Sequence, residues 1–259
     1  MLELEFQNLT VYMLVFARMT GMIAFNPIFS RRNIPARVRA GFILCMTILL
    51  APTIASAHLS AFGEPDVLLG MFREVFVGFA CAYVFQMFYY MLFFAGDLMD
   101  TQFGLSMAKV FDPSSSIQMS VSGNLLNIFF MLYLFATDSH LLLIKIISTS
   151  YMVVPVGAAG IQWEISGFML NLFLSAFSMV FRLALPFIAA EFILELSMGV
   201  LMKLIPQIHV FVINIQFKIL LGMVLLLLFA RPISGFVDNY QNLMFQSMQQ
   251  ALYALFPAR

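Results

Sequence analysis

The chain has 259 residues, 62% of them hydrophobic and 10% charged, with thirteen basic and thirteen acidic side chains in balance. A soluble globular domain carries about 25% charged residues, so this composition excludes one and predicts an integral membrane protein. Zero formal net charge gives no reason to expect a nucleic acid or other polyanionic partner.

The opening residues, MLELEF, are acidic and lack the basic region of a cleavable signal peptide; the first apolar segment is expected to be retained. A spanning helix needs about 20 mostly apolar residues. The segments that qualify are Leu9–Phe29, Ala40–Ala57, Val67–Ala95, Ile117–Ile147, Ile165–Leu201 and Ile208–Ala230. No run alternates as the strands of a membrane barrel do, so the fold class is all-α. The fourth and fifth segments exceed one crossing and must bend, tilt or run on. Pro155 and Gly157 separate them, and Pro186 is expected to interrupt the fifth. Cys45 and Cys81, each within an apolar run, read as small buried side chains. The loop RRNIPARVR, with Arg31, Arg32, Arg37 and Arg39, belongs in the cytoplasm by the positive-inside rule. Six crossings would then leave both termini on the far side. From about 233 to 256, Phe236, Tyr240, Leu243, Met244, Met248, Leu252 and Leu255 recur at three- and four-residue spacing, which predicts an amphipathic helix. No linker or repeat divides the chain, and residues 1–259 read as one membrane domain.

Ionisable side chains inside a span cost several kcal/mol unless paired or wetted. The apolar runs nevertheless hold Arg18, Arg73, Glu74, Asp97, Asp100, Lys109, Arg182, Glu191, Glu195, Lys203 and Lys218. Adjacent Arg73 and Glu74 point about 100° apart on a helix, so each is expected to find a partner elsewhere or to snorkel to water. Gly96, Asp100, Gly104 and Ala108 recur every four residues, a small face suited to close helix packing. Lys109, Asp112 and Pro113 end it, and Ser114–Ser116 can cap the next helix. Glu191, Glu195, Gly199 and Lys203 also recur every four residues, as a stripe for ion pairing or a proton relay. Pro206, Gln207 and His209, between Lys203 and Lys218, break a helix where lipid satisfies no polar group; such a break must lie against protein or water. The histidines lack metal-ligand spacing, and neither a nucleophile elbow nor a Gly-rich phosphate loop is present. These residues predict no enzyme, no metal and no cofactor. A competing reading is an ion-coupled secondary transporter relaying protons through Asp97, Asp100, Glu191 or Glu195. It lacks the matching inverted halves of such proteins.

Three stretches in order, PIFSRRNIPARVRAG (27–41), GDLMDTQFGLSMAKVFDP (96–113) and LPFIAAEFILELSMGVLMKLIPQIHVFVINIQFKILLG (185–222), resemble the FliR family of flagellar export-gate proteins and its injectisome counterpart. Lys203, His209, Asn214 and Gln216 depart from the family's usual residues in the third block. The resemblance implies a subunit of a type III secretion gate. It implies long, broken helical hairpins in a hetero-oligomeric helical ring around a pore, in place of six plain crossings. The implied partners are FliP-like and FliQ-like gate subunits, FlhB-like and FlhA-like export proteins, and unfolded protein substrates. The implied location is the bacterial cytoplasmic membrane, in the flagellar basal body. The same resemblance assigns a pore plug to Met107, Val110 and Phe111, with Asp112 and Pro113 shaping its turn. Helix packing and subunit interfaces are expected at Gly96, Asp100, Gln102, Gly104, Glu191, Glu195, Lys203, Pro206, Gln207 and Lys218.

Overall fold

The computed structural model describes residues 2–31, 34–55, 64–106, 120–157, 165–205 and 210–256. Among them eight α-helices follow one another with no strand: α1 Leu2–Ala24, α2 Ala36–Ala55, α3 Glu64–Gln102, α4 Val121–Ala136, α5 Ser139–Val153, α6 Ile165–Leu204, α7 Val210–Leu228 and α8 Ala230–Leu255. Helices are the form in which an apolar backbone satisfies its own N–H and C=O groups without water. The chain is an all-α integral membrane protein.

Among the described residues, α2, α3 and α6 are each long and apolar enough to cross a bilayer, and two sharply bent pairs, α4 with α5 and α7 with α8, are so only when each pair is taken as one span. The described residues thus offer three spans, or up to five with each bent pair counted as one, where the sequence predicts six. The run 117–147 breaks at Thr137–Asp138, where Asp138 adopts the left-handed φ of 56°. An aspartate tolerates that conformation and a β-branched residue does not. The segment leaving α7 bends by 63° into α8. Pro186 does not interrupt the fifth run either: α6 continues through it over 40 residues. One missing backbone hydrogen bond is tolerated in a long apolar helix, where its neighbouring turns have no competing solvent.

The chain divides into two compact units, one of residues 1–88, 138–173 and 243–259, the other of 89–137 and 174–242. In the first, α1 packs against α2. Val11, Leu14, Val15, Arg18, Met19 and Met22 are all buried, at the three- and four-residue spacing of one helical face. Cys81 is buried there, whereas Cys45 lies exposed on α2, contrary to the sequence expectation for it. An apolar run in a membrane chain marks residence in lipid or protein, and α2 has little of its surface covered by the chain itself. In the second unit Leu126, Phe130 and Leu134 of α4 are buried with Ile233, Val237 and Tyr240 of α8. Phe130 meets Tyr240 edge-on at 6.5 Å, and Gln241 Nε2 donates to the Phe130 carbonyl at 2.8 Å.

Candidate functional site

The polar groups that lipid cannot accommodate gather at three joints, each inside one unit. The first is built on Arg18, completely buried in α1. Its Nε donates to Glu74 Oε2 on α3, and its Nη1 donates to the Ser150 carbonyl near the end of α5 at 3.0 Å. The guanidinium lies over the Tyr151 ring, 4.4 Å from its centroid. The second Glu74 oxygen accepts the Gly157 N–H at 2.8 Å, from a turn that Gly157 forms at a φ of 75°. One ion pair thus ties α1, α3 and α5 together. Of the adjacent pair read from the sequence, Glu74 finds its partner on another helix, as a group 100° away from Arg73 must. Immediately beside it the backbones of α1 and α3 touch at Gly21 and Gly78. A Cβ on Gly21 would overlap the Val75 carbonyl, and one on Gly78 would overlap the Arg18 carbonyl. Sequence reading did not single out either glycine, because each is isolated within its apolar run. What marks them is their position one turn from Arg18 and Glu74.

The second joint lies where α3 ends and α4 begins. Asp100, also buried, accepts from Ser120 Oγ at 2.7 Å, from Val121 N–H at 2.6 Å and from Ser122 N–H at 3.1 Å. Ser120 is the N-cap residue, and its Oγ accepts the Gly123 N–H at 2.9 Å. A carboxylate at the amino end of α4 meets donors that the helix cannot satisfy itself, and its charge complements the helix dipole. Four residues earlier Gly96 brings α3 into backbone contact with α4. A Cβ there would overlap the Gly123 nitrogen and Cα. Gly104 behaves otherwise: it sits in the turn after α3 at a φ of 74°, and a Cβ would meet nothing within 4 Å. Its place is set by backbone conformation, not by packing. Gln102, the last residue of α3, is half-buried. Thr101 Oγ1 and Ser106 Oγ lie 3.2 Å apart across the turn that follows. Met107, Val110, Phe111, Asp112 and Pro113, to which the resemblance assigns a plug, lie outside the described residues, as do Lys109 and Ser114–Ser116. Asp100→Asn keeps the shape but removes the charge from these bonds, and is expected to destabilise the protein by about 2 kcal/mol. A thermal-melt comparison of the detergent-purified proteins checks it, and an unshifted midpoint would remove Asp100 from the joint.

The third joint is the α6–α7 hairpin. Lys218 Nζ donates to Glu195 Oε2 at 3.2 Å, the lysine largely covered and the glutamate mostly exposed. Glu191 is buried, and neither of its carboxylate oxygens has a hydrogen-bond partner among the described residues. Lys203 and Gly199 are exposed. The four-residue repeat from Glu191 to Lys203 is thus not one face. Each four-residue step overshoots a full turn by about 40°, so three steps rotate the stripe by about a third of the circumference. A Cβ on Gly222 would meet the Phe103 ring at 2.6 Å, and Phe103 in turn packs against Phe187 at 6.1 Å. Pro206, Gln207 and His209 lie outside the described residues.

These joints hold helices in register. Among the described residues no three His, Cys, Asp or Glu side chains cluster to hold a metal. The sequence is similar to those of known proteins over most of its length. The Bacillus subtilis (strain 168) protein named flagellar biosynthetic protein FliR is 27% identical over 244 residues, covering 93% of this chain and 94% of the relative. The Escherichia coli (strain K12) protein of that name is 26% identical, covering 89% and 88%. That of Pectobacterium carotovorum is 28% identical, covering 93% and 92%. Residues 9–244 match the profile of one family described as bacterial export proteins, family 1. All three joints fall inside the matched residues, and the chain belongs to the bacterial export proteins, family 1.

Proposed function

We propose that this chain is a component of the flagellar protein export apparatus. The observation that carries the reading is the extent of the match. The family covers residues 9–244, and relatives named flagellar biosynthetic protein FliR align over about nine-tenths of both chains. In the finer form of the proposal the chain is a gate subunit in the cytoplasmic membrane, within the flagellar basal body. It lines a pore for unfolded flagellar proteins together with FliP-like and FliQ-like subunits, and works with FlhB-like and FlhA-like proteins. Glu191, buried with no hydrogen-bond partner among the described residues, supports a chain built to pack against protein, since lipid leaves such a group unsatisfied. The plug is assigned to Met107, Val110 and Phe111, held by the turn at Asp112 and Pro113. An apolar constriction of this kind excludes ions while closed, and the two described ends of that segment are anchored, at Ser106 by Thr101 and at Ser120 by Asp100.

Deleting the gene in its native bacterium is expected to abolish swimming and filament assembly, and restoring it in trans to bring both back. Electron microscopy of the cells and immunoblots of exported filament protein read the result. Normal filaments in the deletion strain would overturn the proposal.

A further inference from the structure

Any placement of a bilayer crossing on α6 immerses charge. A crossing takes about 20 residues, and every such window within Ile165–Leu204 contains either Arg182 or both Glu191 and Glu195. Arg182 is exposed and has no ion pair or hydrogen bond with any described residue. Its own backbone carbonyl loses the usual helical donor as well, because the residue four positions on is Pro186. A guanidinium and a freed carbonyl at one point of an apolar helix both need polar company that acyl chains lack. Beside them Phe181 is 40% and Leu185 43% exposed. With Ser178 they repeat at three and four residues, the spacing of a seam that receives another helix.

We propose that this face of α6 docks a helix from a different membrane chain, and that this helix carries an acidic side chain level with Arg182. A planar guanidinium pairs with a carboxylate through two parallel bonds, which fixes depth and rotation together. A second copy of this chain does not fit. Inserted in the same orientation, it would set arginine against arginine, with Glu195 about 20 Å further along the helix at 1.5 Å per residue. The inference rests on the preceding reading only for the existence of partner subunits.

The experiment uses the full chain in its native membrane, with a photo-reactive benzoylphenylalanine replacing Phe181, and sequences whatever is cross-linked. The expected adduct is a helix of another membrane protein with Asp or Glu within one turn of the linked residue. An adduct with lipid alone, or with a second copy of this chain, overturns the proposal. Arg182→Leu is expected to lower the fraction of chain found in the large complex at least tenfold on native gels, and Arg182→Lys, which keeps the charge but not the two-bonded fork, to lower it by less. Arg182→Glu should be rescued by reversing the linked acidic residue to arginine. Complex formation by Arg182→Leu at the wild-type level overturns the proposal. The two readings fail separately: filaments in the deletion strain sink the export role, and an indifferent Arg182 sinks the docking seam.

Discussion

Glu74→Ala is expected to remove most of the folded protein from the membrane, with a loss of about 3–5 kcal/mol. The alanine would leave Arg18 completely buried with its charge uncompensated, because the remaining polar contacts of the guanidinium among the described residues are one carbonyl and the Tyr151 ring. It would also orphan the Gly157 N–H. Stabilities of whole domains lie near 5–15 kcal/mol, so a defect of this size leaves little margin. The double variant Arg18→Met/Glu74→Leu removes both charges and fills the space, and is expected to recover most of the loss, since apolar replacements of a buried pair are often neutral. Size-exclusion profiles after graded heating of the detergent-solubilised proteins measure both. Equal losses in the single and double variants would show that the pair itself is not what joins α1 to α3.

Gly96→Val is expected to cost more than about 3 kcal/mol, above the usual range for overpacking. The added atoms fall on the Gly123 nitrogen and Cα, and backbone, unlike a side chain, has no rotamer to escape into. The helices must separate, and separation lengthens the bonds from Ser120, Val121 and Ser122 to Asp100. Two control glycines show that the effect belongs to this contact. Gly199, exposed in α6 with open space around it, should gain about 0.5–1 kcal/mol as alanine. Gly104 has space too but a φ of 74°, so its alanine variant should lose about 1–2 kcal/mol through strain alone. Melting midpoints of the three variants, in one detergent, test the order. A Gly96→Val protein as stable as wild type would exclude the backbone contact.

The sequence by itself determined that the chain is helical and lives in a membrane, because composition and run length leave no other way to satisfy its backbone. It also showed that Asp100, Glu74, Glu191 and Lys218 sit where isolated charge is costly, and its three motif blocks resemble the family to which the chain belongs. Partners were beyond its reach. Nothing local says that Glu74 pairs with Arg18, 56 positions away, or that Asp100 caps a helix beginning 21 positions later. Periodicity also misled in particular places. The four-residue repeats grouped Gly104 with Gly96 and Lys203 with Glu191, yet a turn intervenes in the first case and helical drift separates the second. Gly21, Gly78 and Gly123 carried no signal, since a glycine's lack of a side chain matters only when another backbone arrives. Which apolar helix breaks and which runs through its proline was likewise a tertiary decision. Asp138 permits a left-handed turn that ends α4, whereas Pro186 forfeits a single hydrogen bond that the remaining turns of α6 outweigh. Local sequence sets what each segment needs from its surroundings; only packing brings together the groups that supply it.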